Sequence, residues 1–275
     1  MLRTRIATAV VLLAAFLGAL FLLPPWGWSA FALLVVAVGA HEWGAFARLA
    51  DGGRIAYAAI ITLAAAAILL FTGVGAGGTG HTAATWLYLA AAAFWVFGAT
   101  AWLRALPAHP SAAVVLMLGC LVLLPTCIAL VALRNVGPWI LLMFMAVAWI
   151  ADIAAYFAGR AFGHRKLAPR VSPGKTWEGV IGAVVATTAY VLVLRALAPV
   201  QLAPALVAGL ALVAFVWVLT AASIVGDLFE SAMKRQAGLK DSGTLLPGHG
   251  GVLDRIDALT AVLPIAALAV TSGLA

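Results

Sequence analysis

Long, non-alternating apolar runs fill most of this chain and leave it few ways to fold. They lie near 6–23, 28–47, 55–71, 86–103, 111–133, 138–158, 179–197, 203–225 and 258–274. Each is close to the roughly 20 apolar residues that carry a helix across the hydrocarbon layer of a bilayer. Inside lipid every backbone N–H and C=O needs a partner from the protein, and only helices and closed barrels supply one. Barrel strands alternate apolar and polar side chains; these runs do not, so helices are expected. Composition agrees, with 65% of 275 residues hydrophobic, 9% charged and a mean hydropathy of +1.14. A soluble domain carries about 25% charged residues. The expectation is an all-α integral membrane protein of about nine transmembrane helices.

Arg3 and Arg5 ahead of the first run resemble the start of a secretory signal. That run is long enough to span and others follow at once, so it is read as a retained first span. Pro125 and Pro264 fall inside spans, where proline kinks a helix. The Gly- and Thr-rich stretch 73–85 is an uncharged loop. Placing the N-terminus in the cytoplasm puts fourteen of the sixteen Lys and Arg on that side and leaves Arg134 and Arg195 outside. This asymmetry predicts an N-terminus inside and a C-terminus outside. The net charge of +7 would suggest nucleic acid in a soluble protein. Here basic cytoplasmic loops account for it, and they suit anionic head groups and nucleotides; no nucleic-acid partner is expected. Cys120 and Cys127 share one apolar run with no ligand-like cluster and read as packing residues.

Composition divides the chain. Residues 1–135 are nearly featureless apolar helix, whereas 136–275 hold most of the charge in two cytoplasmic loops, 159–178 and 226–257. The second loop reads Gly226-Asp227-Leu228-Phe229-Glu230-Ser231-Ala232-Met233-Lys234-Arg235, then Lys240-Asp241-Ser242-Gly243. It continues Leu246-Pro247-Gly248-His249-Gly250-Gly251, then Asp254-Arg255-Ile256-Asp257. Its 32 residues hold five of the nine acids and four of the sixteen bases. If 227–235 is helical, Asp227, Glu230, Ser231 and Lys234 share a face. The glycines around His249 let a backbone come close to a ligand. Taken singly, each residue has a bland reading: Asp257 as a helix cap, Asp227 with Lys234 as a plain salt bridge, His249 as a loop histidine. Together they put many charges next to lipid, where charge is costly and usually functional.

The first loop begins inside a span with Asp152, Ala155, Tyr156, Gly159 and Arg160. It runs on to Ser172-Pro173-Gly174-Lys175-Thr176-Trp177-Glu178-Gly179. Asp152 and Tyr156 are one turn apart and share a face. Gly-Lys-Thr suggests a Walker loop, but that loop needs glycine where Pro169 stands and a strand ahead of it, so it is rejected. Glu178 opens the next span, where a helix dipole alone would favour an acid, and substrate binding is the other reading.

The stretch Ser231–Asp257 resembles the signature of the phosphatidate cytidylyltransferase (CDP-diacylglycerol synthase) family. The match includes Lys234-Arg235, Lys240-Asp241, His249-Gly250-Gly251 and Asp254-Arg255-x-Asp257 at the family spacing. The first loop resembles the family's Asp-x-x-Ala-Tyr-x-x-Gly and Ser-Pro-x-Lys-Thr-x-Glu-Gly segments, with Gly174 where the family often has Lys or Asn. Glu42-Trp43 resembles a further family feature. The resemblance covers about 150–257 and is compositional before that.

The resemblance implies that CTP and phosphatidic acid give CDP-diacylglycerol and pyrophosphate, in phospholipid biosynthesis at the cytoplasmic (inner) membrane. It also implies Mg²⁺, one ion or two, with Asp227, Asp254 and Asp257 as the metal set, led by Asp227 and Asp254, and with Asp257 and Asp241 as supports. Carboxylate oxygens suit that ion. Asp227, Asp254, Lys234, Arg235, Lys240, Asp241, His249 and Arg255 form the implied catalytic set. Asp152, Tyr156, Ser172, Lys175, Thr176, Glu178, Ser231, Gly250 and Gly251 form the implied substrate-binding set. The lipid phosphate is already an anion, so catalysis should rest on positioning and charge neutralisation. Membrane lipids are partners, and a homodimer is left open. The rival readings are a CTP-dependent polyprenol kinase, another lipid cytidylyltransferase, or a secondary transporter. Transporters show repeats and mid-membrane charge, and neither is evident in the sequence.

Overall fold

The computed structural model describes residues 2–78, 84–197, 209–246, 248 and 250–271. Helix α1 is Leu2–Leu22, and α2 is Pro25–Phe46 with proline at its first position, where no N–H is needed. Arg48 turns the chain with a left-handed φ of 58° into α3, Asp51–Phe71. Helix α4, Thr85–Ala93, continues through a π-turn at Phe94–Gly98 into α5, Ala99–Ala105. Such turns insert one residue and re-aim side chains. Here Phe94 and Trp95 stand 5.3 and 5.6 Å from the Phe229 ring. Helix α6 is Ala112–Val136, capped by the Ser111 hydroxyl, and α7 is Pro138–Phe162.

An antiparallel hairpin follows. Strand β1, Lys166–Ala168, pairs with β2, Ser172–Thr176, with Lys166 opposite Thr176 and Ala168 opposite Ser172. Helix α8 is Trp177–Leu197, α9 is Gly209–Ala237 and α10 is Leu253–Thr271.

The chain is mostly helical. Among the described residues seven helical segments are long and apolar enough to cross a membrane: α2, α3, the Thr85–Ala105 rod, α6, α7, α8 and Leu210–Ala237 of α9. Two features depart from the sequence reading. The segment 159–178 is not loop throughout, because α7 runs on to Phe162 and a small β element follows in an otherwise helical chain. The segment 226–257 begins as helix, because α9 continues to Ala237. Residues 203–208 and 272–274 of the expected last two spans lie outside the described residues.

Lipid gives apolar helices little reason to associate, so close packing and interhelical hydrogen bonds hold such bundles together. Trp43 and Tyr57 donate to the Val115 and Leu116 carbonyls at 2.8 Å, tying α2 and α3 to α6. Thr126 donates to Thr260 O at 3.2 Å, tying α6 to α10. Thr187 and Thr220 join α8 to α9 at 2.9 Å. Helices α6 and α10 are the most enclosed, with Ile128–Leu133 and Ala258–Ala267 almost wholly buried. Leu70, Phe71, Leu197 and Leu210 point outward.

Candidate active site

The last three turns of α9 organise the site. Asp227, Glu230, Ser231 and Lys234 share a face, as the i, i+3, i+4 spacing predicts. Ser231 donates to Asp227 Oδ1 at 3.3 Å, and Lys234 Nζ lies 3.5 Å from Glu230 Oε1. From this face two clusters diverge.

The outer cluster is built with the hairpin. Lys175 reaches Asp227 Oδ2 at 2.5 Å, both side chains being about a quarter exposed. Asp152 lies within electrostatic reach of Asp227 and Lys175, and Asp257 within reach of Asp227 and Asp152. Small residues let α7 and α8 cross closely at this point. A Cβ on Gly179 would stand 2.8 Å from Ala155 O, and one on Gly159 would stand 3.0 Å from Thr176 Oγ1. Thr176 caps α8 by accepting from Gly179 N at 3.1 Å. Glu178 accepts from Arg165 N at 3.2 Å and braces the mouth of the hairpin.

The inner cluster joins α9 to α10 and the loop between them. Lys234, itself buried, donates to Asp254 Oδ1 at 2.5 Å. Asp254 Oδ2 accepts from Ser242 N at 2.9 Å, Gly251 N at 2.8 Å and Ser242 Oγ at 3.0 Å. Burial pushes the Asp254 carboxyl up, but the Lys234 ammonium and the two amides outweigh it and hold the pKa below the ordinary aspartate value. Gly250 has φ +84°, and a Cβ there would stand 2.6 Å from Asp254 Oδ2, so glycine is required on both counts.

The other sequence candidates make separate contacts. Arg235, Lys240, Asp241 and Arg255 are exposed, and Arg235 donates to Leu239 O at 3.2 Å, finishing the end of α9. Tyr156 is exposed and accepts from Arg160 at 3.0 Å. Ser172 opens β2, opposite Ala168. His249 lies outside the described residues.

The sequence reading left Glu42 out of the candidate site, and the structure puts it at the centre of the inner cluster. It is 3% exposed on α2 and accepts from Ser242 Oγ, Val252 N and Leu253 N at 2.9, 2.9 and 2.8 Å. The available signals were a lone acid at the end of an apolar run, where charge is costly, and the resemblance of Glu42-Trp43 to a family feature.

Comparison with known proteins assigns this arrangement to a family. Residues 3–272 match the cytidylyltransferase family. The chain belongs to that family. The phosphatidate cytidylyltransferase of Pseudomonas aeruginosa is 43% identical over 279 residues, covering 96% of this chain and 95% of that protein. That of Haemophilus influenzae is 36% identical over 285 residues, 96% of each. That of Thermotoga maritima is 39% identical over 132 residues, 48% of this chain and 49% of that protein.

Proposed function

We propose that this chain transfers the cytidylyl group of CTP to phosphatidic acid, leaving CDP-diacylglycerol in the membrane and releasing pyrophosphate. The observation that carries the reading is the 43% identity, over 96% of the chain, to a protein named for that activity. The clusters support it chemically. A lipid phosphate oxygen attacks the α-phosphorus of CTP, and the bond from that phosphorus to the bridging oxygen of the β-phosphate breaks. The nucleophile is already ionised, so no base must take a proton from it. What the protein supplies is positioning and positive charge. Lys175, in the more open cluster, is placed to exchange Asp227 for a phosphate. Lys234 stays fixed on Asp254 and holds that carboxylate in place behind the outer pair. Arg235, Lys240 and Arg255 are exposed cations that would draw in a soluble triphosphate.

Mg²⁺ fits part of this arrangement. Among the described residues no three His, Cys, Asp or Glu side chains form a ready metal cage, but Mg²⁺ often uses one or two carboxylates with phosphates and water. Asp227, whose partner is the ammonium of Lys175, is suited to such an ion, with Asp257 beside it. Asp254 is less suited, because it is more deeply buried and Lys234, two amides and a hydroxyl hold its oxygens, whereas Asp227 is a quarter exposed with a single lysine and one serine on it. A bound ion would neutralise phosphate charge. We read the chain as nine spans with the N-terminus and the catalytic face in the cytoplasm and the C-terminus outside, in the cytoplasmic membrane. The fourteen-to-two distribution of Lys and Arg supports this topology.

The test uses purified protein in liposomes with phosphatidic acid, Mg²⁺ and CTP labelled at the α-phosphorus. Label in the lipid, matched by pyrophosphate and abolished by EDTA, is the expected result. Release of CDP with unlabelled lipid would replace this reading with a lipid kinase.

A further inference from the structure

Glu42 comes from the half of the chain that otherwise reads as plain apolar helix. An acid buried there needs a reason, and the simplest is local: it satisfies the first amides of α10, which have no partner within their own helix. Its contacts go further. Ser242, whose hydroxyl lies 2.9 Å from Glu42 Oε2, is also 3.0 Å from Asp254 Oδ2 and receives Asp254 N at 3.3 Å. One hydroxyl proton therefore stands between two carboxylates, and an amide fixes the oxygen from a third side. Asp254 in turn holds Lys234 at 2.5 Å. The result is an unbroken chain of polar contacts from α2 through the loop and α10 to α9.

The loop is also moulded on the Glu42 carboxylate. A Cβ on Gly243 would stand 2.6 Å from Oε1, and one on Gly251 would stand 2.5 Å from Oε2. A side chain at either position would have to displace the carboxylate, and at Gly251 the Ser242 hydroxyl as well.

We propose that Glu42 is a positioning residue for cytidylyl transfer: acting through Ser242, it sets the placement of Asp254 and so of Lys234. This rests on the function proposed above. Glutamine at position 42 keeps the shape but turns an amide NH₂ toward Val252 N–H or toward Leu253 N–H and Ser242, donor against donor. Aspartate keeps the charge and draws it back by one methylene, about 1.5 Å. Catalytic alignment is sensitive to shifts on that scale.

The experiment compares the full-length chain with Glu42→Gln, Glu42→Asp and Ser242→Ala in the α-labelled CTP assay, alongside hydrogen exchange over 241–254. In Glu42→Gln we expect kcat to fall about 100-fold, with KM for CTP and for phosphatidic acid within about threefold of the parent. Glu42→Asp should recover part of that loss. Ser242→Ala should lose about tenfold, and the Glu42→Gln/Ser242→Ala double variant should be no worse than Glu42→Gln alone, since the two act in one chain of contacts. Amide exchange over 241–254 should quicken in every variant. A purely structural role would lower the yield of folded protein and leave kcat per folded molecule unchanged, and that result would overturn the proposal. If Glu42→Gln does not fold, Ser242→Ala decides, because it cuts the link while Glu42 keeps both amides. If the parent protein labels no lipid, the proposed function fails instead. Exchange over 241–254 then tests only whether Glu42 holds the loop, and unchanged exchange overturns the positioning role.

Discussion

The two lysine–aspartate pairs are alike in length and differ in what surrounds them. Both close at 2.5 Å. In Lys175–Asp227 the side chains are 23% and 24% exposed, and the second carboxylate oxygen meets a serine hydroxyl at 3.3 Å. In Lys234–Asp254 they are 11% and 7% exposed, the second oxygen holds two amides and a hydroxyl, and Glu230 stands beside the lysine. Solvated pairs are worth about 1 kcal/mol or less, so they exchange partners readily. Opening a buried pair leaves an uncompensated charge. On the proposed function, the outer pair is where substrate phosphate competes and the inner pair is the frame that holds its shape. The same bond length serves two purposes because the surroundings decide what breaking it costs.

Lys234→Met should separate the pairs most sharply. It strands Asp254 and Glu230 in a buried site, so we expect a loss of about 3–5 kcal/mol of stability and no measurable turnover. Thermal unfolding in detergent reads the first and lipid labelling the second. A Tm equal to that of the parent would mean the inner pair is not a frame. Asp227→Asn should do the reverse. Its pair with Lys175 is about a quarter exposed and more open than the inner one, so stability should fall by no more than about 1 kcal/mol, while turnover falls about 1,000-fold. Near-parental activity would remove Asp227 from the reaction and with it the proposed Mg²⁺ position. Lys175→Ala comes next, with an expected loss of about 30-fold in kcat/KM and an unchanged Tm. Lost folding in this variant would make the outer pair structural too.

The difference between the pairs also marks what a sequence can show. Helices were readable because lipid demands long apolar runs, and each described helix overlaps one. The polar end of α9 was harder. Asp227, Glu230, Lys234 and Arg235 have the charge density of a loop, and only their i, i+4 spacing reveals the helix. The hairpin left no signal, because two short strands rich in Lys, Pro and Gly lack apolar alternation. Motif spacing brought most of the candidate residues into view, but not which of them pair. Lys175 with Asp227, and Lys234 with Asp254 rather than Asp227, follow from how α8, α9 and α10 pack. Glu42 was the least legible, since its partners lie 200 to 211 residues away and no local pattern announces them.

The smallest effect tests how the outer pair is held. Among the described residues no connection equivalent to Glu42–Ser242 supports Lys175; it sits on a short strand beside the Thr176 cap of α8, one residue on. Thr176→Ala removes the acceptor of Gly179 N, which costs about 1 kcal/mol at a helix N-terminus. The hairpin stays closed through Glu178 and the Arg165 amide, so Lys175 should loosen rather than leave. The expected result is a two- to threefold rise in KM, about 0.5 kcal/mol, with kcat nearly unchanged. Ser242→Ala, at the corresponding place in the inner cluster, should lower kcat and spare KM. If Thr176→Ala lowers kcat as well, the outer pair is part of the frame, and the distinction between an exchangeable and a fixed cation no longer describes this site.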